Sequence, residues 1–354
     1  MMKEEWTYKK LGEVCEILDS RRKPITKSKR ESGSIPYYGA TGLLDYVKDY
    51  IFDEKLVLLG EDGAKWGAGE NSSYIIEGKT WVNNHAHTLR PKRDVLIDEF
   101  LVYYLNYSNL LPYITGVTVP KLNQEKMRSI EIPIGSLNKQ RSIVSRLDAA
   151  FADIDALKAN ADKQLSEAHQ LFQAELTECI RPKEGWEKKT LGDIVKITHG
   201  KNQKEVQSPD GSYPIYGSGG TIMGYATDFL CEANTTILGR KGSINNPQFI
   251  TERFWNVDTA FGISPRDNNN SKFIYYFITS IDWNKKNTGT TLPSLTQLVV
   301  SSVPISVPPV DVQSQIVNRL DSLSSRIKQL EEVQRKTISE CDALKQAMLK
   351  EVFE

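Results

Sequence analysis

His85 and His87 stand one residue apart, and side chains at alternate positions of a strand share a face. Two imidazoles on one face are a possible metal site. The sequence suggests no third ligand, and a second copy of this stretch has Thr259 and Phe261 at the two positions. The pattern therefore favours polar surface or groove contacts, and we expect no metal centre.

Two other stretches match catalytic motifs incompletely. Gly78-Lys79-Thr80 ends like a phosphate-binding loop, but the first glycine of that motif would fall at position 73, which is Ser73. The NPQF stretch at 246–249 is similar to the Asn-Pro-Pro-aromatic tetrad of amino-methyltransferases but lacks the second proline, and no Gly-rich turn for a methyl donor is evident. With four histidines and no nucleophile set, we expect no catalytic residue in this chain.

The segments with binding potential occur twice. The octet TGVTVPKL (115–122) returns 173 positions later as TGTTLPSL (288–295). Other matches keep the same order along the chain: WTYKKLGEV (6–14) with WEKKTLGDI (186–194), IPYYGATG (35–42) with YPIYGSGG (213–220), and LLGEDGA (58–64) with ILGRKGS (237–243). A unit of about 175 residues is therefore duplicated, which predicts two domains of one kind.

The loops of the two copies keep their glycine and aromatic framework and exchange their polar side chains. Asn, His, Lys, Arg, Asp, Ser and Thr are the residues that read base edges and hold phosphates. Ordinary hydrophilic loops also diverge between old duplicates, and on the loops alone that simpler interpretation is preferable. The candidate DNA-binding residues are Tyr38, Thr41, Lys65, Trp66, Asn83, Asn84, His85, His87, Lys121, Asn123, Lys201, Asn202, Tyr216, Ser218, Arg240, Lys241, Asn245, Asn256, Asp258, Thr259, Ser294 and Thr296. For the threonines of the octets, capping and strand pairing are equally good interpretations.

Each copy consists of a strand- and turn-rich globular part followed by a long helical segment. No Pro or Gly occurs from Gln140 to Ile180 or from Gln313 to the end of the sequence, and apolar residues recur at steps of three and four. This spacing predicts two coiled-coil helices, each roughly 50 Å long. The apolar residues that recur at these steps include Leu157 and Val333, which are not part of the predicted seam. The predicted seam, which also serves partner binding, comprises Ile143, Leu147, Phe151, Ile154, Leu165, Phe172, Ile316, Leu320, Leu323, Ile327, Leu330 and Leu344.

The predicted fold class is α+β, with two similar domains separated by two long antiparallel coiled-coil helices in a pseudo-two-fold repeat. Parallel or intermolecular pairing of the helices is the alternative. The predicted divisions are a first domain at 1–142, a first spacer helix at 143–180, a second domain at 181–315 and a second spacer helix at 316–354.

Composition sets further limits. The 354 residues have a formal net charge of zero, so electrostatics give no hint of a polyanionic partner. The four cysteines stand singly, which predicts neither a disulfide framework nor a zinc site. The polar N-terminus and the absence of a long apolar run predict a cytoplasmic protein without a signal peptide.

The whole arrangement resembles the specificity subunit of type I restriction-modification systems. The strongest carriers are IEIPIGSLNKQRSIVSRLD (130–148) and VPISVPPVDVQSQIVNRLD (303–321), in which strand, Gln and I-V-x-R-L-D follow in fixed order. The first copy departs from the pattern with Ile134-Gly135-Ser136 where the second has Val307-Pro308-Pro309, which puts one turn in doubt.

The resemblance implies that each domain reads one half of a bipartite DNA target and that the helices set the gap and dock two methyltransferase subunits. It implies S-adenosylmethionine on those subunits, and ATP and Mg²⁺ on restriction subunits where these are present, with no cofactor on this chain. The alternatives are a coiled-coil scaffold that binds only proteins and the recognition part of a self-contained methyltransferase or endonuclease. A self-contained methyltransferase or endonuclease would need a further catalytic domain, but both repeats are already interpreted as recognition domains with their helices.

Overall fold

The computed structural model describes residues 6–354, so part of the polar N-terminal segment lies outside the described residues. The chain forms two compact units. The first unit combines the residues up to Ala161 with Arg335–Glu354, and the second comprises Asp162–Gln334. The division into recognition domains and spacers stays a prediction, because each unit combines a globular part with portions of two long helices.

The first unit is built mainly of short strands around three short helices. Its elements are β1 (Thr7–Lys10), α1 (Leu11–Val14), β2 (Cys15–Ile17), β3 (Ile35–Gly39), β4 (Gly42–Val47), β5 (Phe52–Asp53), β6 (Leu56–Gly60), β7 (Ser73–Ile76), β8 (Lys79–Val82), β9 (Ala86–Pro91), α2 (Asp98–Tyr107), α3 (Gln124–Arg128), β10 (Glu131–Ile134) and the first part of α4 (Leu137–Ile180). Short 3-10 helices cover Asp19–Arg21, Lys27–Lys29 and Leu111–Tyr113.

The second unit repeats this order from the end of α4. Its further elements are β11 (Glu187–Thr190), α5 (Leu191–Ile194), β12 (Val195–His199), β13 (Tyr213–Tyr216), β14 (Ile222–Ala226), β15 (Thr235–Gly239), β16 (Gln248–Ile250), β17 (Trp255–Asn256), β18 (Ala260–Pro265), α6 (Ser271–Thr279), a 3-10 helix (Trp283–Lys286), α7 (Gln297–Ser301), β19 (Pro304–Val307) and α8 (Val310–Phe353). The last part of α8 belongs to the first unit.

The sheets have matching topologies in the two units, except that the first unit adds β5 beside β8 in its second sheet. The antiparallel sheet of the first unit has the order β2-β9-β6-β7, and that of the second has β12-β18-β15-β16. A second sheet contains the hairpin β3–β4 or β13–β14 with a parallel neighbour, β8 or β17. The strands β1 and β11 pair with β10 and β19, which close each globular part next to a long helix. The predicted mixture of strands and helices is confirmed.

The central strands β6 and β15 are buried along their whole length. In the first unit, α2 packs Phe100 and Leu105 against residues of both long helices, Leu147 of α4 and Phe353 of α8. The corresponding core of the second unit joins Phe273 and Trp283 to Leu176 and Leu320. The long helices are thus part of each core.

The long helices run antiparallel within each unit, as predicted. In the first unit, Arg146 pairs with Glu351 at 2.9 Å and Lys158 with Asp342 at 2.7 Å. In the second unit, Gln334 donates to Gln164 at 2.9 Å, and Arg319 pairs with Glu175. In each case the partner number on α8 falls as the number on α4 rises.

Most of the predicted seam is buried or half-buried, but Leu344 is a correction. Its side chain is 50% exposed, because the buried positions of α8 beyond Cys341 are Leu349 and Phe353 and leave Leu344 outside. Leu157 and Val333, which belong to the wider apolar pattern, are also exposed. Ile143, Phe151, Leu165, Phe172, Leu323 and Leu330 are half-buried, and Leu147, Ile154, Ile316, Leu320 and Ile327 are buried.

A buried glutamine fixes the start of each long helix to its globular part. Gln140 accepts the Ile97 N–H at 2.9 Å and donates to the carbonyls of Val95 and Gly135 at 2.8 and 3.0 Å. Gln313 accepts the Asn270 N–H at 2.8 Å and donates to Pro308 at 2.9 Å. The first copy has Ile134-Gly135-Ser136 where the second has Val307-Pro308-Pro309, but the glutamine that follows this turn makes equivalent hydrogen bonds in both copies.

Within residues 6–354, no helix combines the length and the apolar content of a membrane span.

Candidate nucleic-acid interface

Three loops meet at one edge of the first unit: the polar loop after β6 (60–69), the turn before β9 (83–85) and the octet loop (115–122). The N–H of Glu61 donates to the His85 carbonyl at 2.8 Å, and the N–H of Leu122 donates to the Glu61 carbonyl at 2.8 Å. An isolated bridge joins Asp62 to Lys121. The backbone therefore holds three segments that are distant in sequence as one surface.

The second unit has the same junction. The N–H of Arg240 donates to the Thr259 carbonyl at 2.8 Å, and the N–H of Leu295 donates to the Arg240 carbonyl at 2.8 Å. An isolated bridge joins Lys241 to Ser294. The sequence matches between the copies thus correspond to equivalent positions in the two units.

The octets form closed loops that project into solvent. Thr115 and Lys121 exchange two backbone hydrogen bonds of 2.8 Å, and Thr288 N–H donates to Ser294 at 2.9 Å. The hydroxyls of both threonines donate to the same carbonyls as their N–H groups, at 3.1 Å. These hydroxyls close the loops, so strand pairing rather than phosphate contact explains Thr115 and Thr288.

Glycine follows each of these threonines because no Cβ fits there. A Cβ on Gly116 would lie 2.4 Å from the Val119 carbonyl oxygen, and one on Gly289 would lie 2.0 Å from that of Leu292. Gly116 also has a φ of 88°. At the tip, Val117 is fully exposed and Leu292 is half exposed. The loops therefore present apolar side chains and backbone to any partner.

A buried ionic network lies beneath the junction of the first unit. Glu61 accepts from Arg22 at 2.5 Å and from Lys121 at 2.9 Å. Asp19 contacts His87 Nδ1 at 2.6 Å, and His87 Nε2 lies 2.7 Å from the Leu122 carbonyl oxygen. The network thus ties β9 to the octet loop.

The network keeps its carboxylates ionised. Burial opposes ionisation of Glu61, yet the hydrogen bonds from Arg22 and Lys121 hold its pKa below the ordinary value. Burial likewise opposes ionisation of Asp19, and the contact with His87 together with the Thr88 N–H lowers its pKa. Both groups are therefore charged at neutral pH.

Ligand atoms of Asp19, Glu61 and His87 lie within 4.8 Å of one another, which is close enough for a metal ion. Arg22 and Lys121 already supply positive charge to this group, and the Gln124 amide donates to Asp19 at 3.0 Å. These contacts describe a satisfied ion-pair network. The predicted common face of His85 and His87 is wrong, because His85 lies in the turn before β9, exposed and 2.5 Å from Asp62, while His87 is fully buried.

Several predicted DNA-binding residues are buried, which corrects the expectation that they offer polar atoms to DNA. Asn83 accepts the His85 N–H, and Trp66 donates its indole N–H to the Gly60 carbonyl at 2.9 Å. Asn256 donates to the Ala260 carbonyl at 3.2 Å. Since a polar atom bonded inside a domain cannot reach a base, these side chains shape the loops instead. The buried set is Trp66, Asn83, His87, Tyr216 and Asn256.

Other predicted residues are occupied by local structure. Asn123 and Thr296 accept backbone N–H groups at the starts of α3 and α7. Asn245 accepts the Trp283 N–H at 2.7 Å, and Ser294 donates to Leu292 at 2.9 Å. Their position at the surface still allows contact through their remaining atoms.

The remaining predicted residues lie at or near the surface. Lys121 is half-buried in its pair with Glu61, and Tyr38 and Ser218 are half-buried near the hairpin tips. Arg240 donates to the Asp258 carbonyl at 3.2 Å, beside Thr259. The exposed members are Thr41, Lys65, Asn84, His85, Lys201, Asn202, Lys241 and Asp258.

The structure adds surface features that the sequence analysis did not select. Exposed lysines Lys23, Lys27 and Lys29 follow Arg22 in the run RRKPITKSKR (21–30), and a charge run of this kind is a signal that could have identified them. The hairpins also expose apolar side chains at equivalent positions in the two units. These are Leu43, Leu44 and Tyr46 on β4, and Ile222, Met223 and Tyr225 on β14, each about half exposed.

Comparison with known proteins agrees with this architecture. The family model described as the type I restriction modification DNA specificity domain matches residues 3–167 and again 183–339. These two ranges make up most of the chain, and each begins near the start of one sequence repeat.

Named relatives and a solved structure are also similar. A Haemophilus influenzae protein named as a type I restriction enzyme specificity subunit is 40% identical over 148 residues, which cover 42% of this chain and 38% of that protein. The MjaVIII specificity subunit of Methanocaldococcus jannaschii is 21% identical over 98% of this chain and 91% of its own length.

A structure from work on complex assembly and conformational transition of the type I restriction-modification system has a TM-score of 0.79 at 16% identity, with 100% of this chain and 99% of that chain covered. At this identity the likeness concerns the fold. Taken with the two family matches, it accounts for the duplicated domain and the paired long helices. The chain belongs to the family of type I restriction-modification specificity subunits.

Proposed function

We propose that this chain is the DNA sequence-specificity subunit of a type I restriction-modification complex, in which each unit reads one half of a bipartite target. The observation that carries the proposal is the repeated junction of loops. The same backbone hydrogen bonds hold it in both units, while its exposed side chains differ. A fixed framework with exchanged polar residues is what two readers of different base sequences require.

The long helices set the gap between the half-sites in this proposal. A helix of 44 residues, such as α4 or α8, is about 66 Å long at 1.5 Å per residue. One turn of B-DNA is about 34–36 Å, so helices of this length are suited to separating two readers by unread base pairs.

The helices would also dock two methyltransferase subunits. Leu171 and Leu344 stand 173 positions apart, the offset of the repeat, and are 59% and 50% exposed. In this proposal, each of these two leucines would contact one of two identical partners, one for each unit. Of the two roles predicted for Leu344, packing in the seam and partner binding, this proposal keeps partner binding.

The chain would act without catalysing a reaction. Its nearest approach to a catalytic cluster, Asp19, Glu61 and His87, is buried and occupied by Arg22 and Lys121. S-adenosylmethionine would bind the methyltransferase subunits, and ATP and Mg²⁺ would bind restriction subunits.

Methylation mapping tests the proposal. The chain is expressed with the methyltransferase subunit of its system in a host without its own modification, and the modified adenines are located by sequencing. We expect a two-part motif with a fixed gap. A single continuous motif would mean that one unit alone reads DNA, and a soluble complex without modification would favour a protein-binding scaffold.

A further inference from the structure

The equivalent junctions of the two units carry opposite charge. Glu61 of the first unit corresponds to Arg240 of the second, because each donates its N–H to the turn before the next strand and accepts from the octet loop. By the same hydrogen bonds, Asp62 corresponds to Lys241. Two carboxylates in one unit thus occupy the places of two cations in the other.

In the first unit the carboxylates are used inside the protein. Glu61 binds Arg22 and Lys121, and Asp62 contacts His85 at 2.5 Å. In the second unit, Ser294 takes the place of Lys121 and Thr259 takes that of His85. The loop charge is therefore reversed between the units, and the residues that face it in the second unit are neutral.

In the second unit the cations are available to a ligand. Within the described part of the chain, no carboxylate forms an ion pair with Arg240 or Lys241, and Lys241 is exposed. The Arg240 guanidinium has one hydrogen bond, to the Asp258 carbonyl at 3.2 Å, and keeps its other N–H groups for a partner.

A different cation is the same in both units. The indole N–H of Trp81 donates to the Lys23 carbonyl at 2.6 Å, and that of Trp255 donates to the Lys201 carbonyl at 3.0 Å. Both lysines are exposed, and neither has an ion pair among residues 6–354. Their equivalence is hidden in the sequence because the segments before them differ in length.

The cations that differ between the units and the lysines that are shared by both units are suited to contact different parts of DNA. The phosphate backbone is the same in both half-sites, so residues that are the same in both units are suited to contact it. The bases differ between the half-sites, so residues whose charge differs between the units are suited to contact the bases. Arginine and lysine at base edges most often bind O6 and N7 of guanine.

We propose, on the basis of the function proposed above, that Arg240 and Lys241 are specificity-determining residues that bind a guanine in the half-site of the second unit, and that Lys23 and Lys201 hold the phosphate backbone of both half-sites. At the equivalent position the first unit presents the Asp62–His85 pair, so the two half-sites differ at the base pair contacted there.

The test compares variants of the full chain in complex with its methyltransferase, using motif mapping and DNA binding at several salt concentrations. Arg240→Ala and Lys241→Ala should each relax a guanine position in one half-site by roughly 5- to 150-fold and leave the other half-site unchanged. Arg240→Lys keeps the charge but loses the planar fork, so it should also relax that position.

Lys23→Ala and Lys201→Ala should keep the motif and weaken binding to all sequences, with the slope of log affinity against log salt reduced by about 1. Lys336→Ala removes a lysine that is 77% exposed on α8 and should change neither quantity.

Two results would overturn the inference: a second half-site without guanine, or an unchanged motif with a reduced salt slope in both Arg240→Ala and Lys241→Ala. The unaffected half-site in each variant shows that the complex is folded and assembled. A failure of the proposed function would look different from a failure of this inference, because the chain without substitutions would then give no two-part motif.

Discussion

Glu61→Gln should destabilise the junction of the first unit, because it removes the negative charge that pairs with Arg22 and Lys121. Glu61 and Arg22 have side chains that are 11% and 12% exposed, and His87 is fully buried. Removing one partner of a buried pair costs about 3–5 kcal/mol. Since Lys121 is 43% exposed and water can solvate it, we expect the lower end, about 3 kcal/mol, or roughly a 100-fold increase in local opening.

Hydrogen exchange resolved by segment is the suitable assay, because a chain of two units does not unfold in one transition. Segments 86–91 and 115–124 should lose protection, while the equivalent segments of the second unit keep theirs. Glu31→Gln is the matched control, since Glu31 and Lys48 form a pair with side chains that are 73% and 65% exposed. Equal exchange in the two variants would refute the view that the network holds β9 and the octet loop.

Three further predictions concern the first unit. The pKa values of Asp19 and Glu61 lie below the ordinary 3.8 and 4.5, so the two carboxylates stabilise the fold fully above pH 4.5 and lose this effect as the pH falls through the lowered values. Acid unfolding followed by hydrogen exchange should show this loss. Asp19→Asn should make the stability depend less on pH. Gln140→Leu leaves a part-buried N–H and two part-buried carbonyls without this partner and should cost about 1–3 kcal/mol, seen as lost hydrogen-exchange protection around residues 95–97 and 135–140. Gln170→Leu, at an exposed site of the same helix, should cost little. Leu349→Ala should cost about 2–5 kcal/mol, seen as lost hydrogen-exchange protection in the core of the first unit. An equal effect of Leu344→Ala would contradict our assignment of the buried face.

Much of the architecture follows from local patterns. The duplication predicts two equivalent units, and apolar steps of three and four predict the long helices. The same pattern does not identify which apolar residues face inwards, because the buried positions change their spacing along α8 and leave Leu344 outside.

The site is less predictable than the fold. The run 80–91 looks like one strand, but a turn divides it into β8 and β9, so His85 and His87 have opposite environments. The network of Asp19, Glu61 and His87 joins residues far apart in the sequence, and no local signal links them. The octets were recognisable as repeated, yet only the backbone shows that their threonines close the loops.

The discontinuity of the first unit has a consequence for synthesis on the ribosome. Phe353 packs against the rings of Phe100, Tyr104 and Tyr107, so this core is complete only when the segment Arg335–Glu354 has been made. The second unit is continuous in sequence and lies wholly before that segment. Domains usually complete in order from the N-terminus. Here the first unit begins first but needs a segment that follows the second unit, so its aromatic face stays uncovered until Arg335–Glu354 has been made.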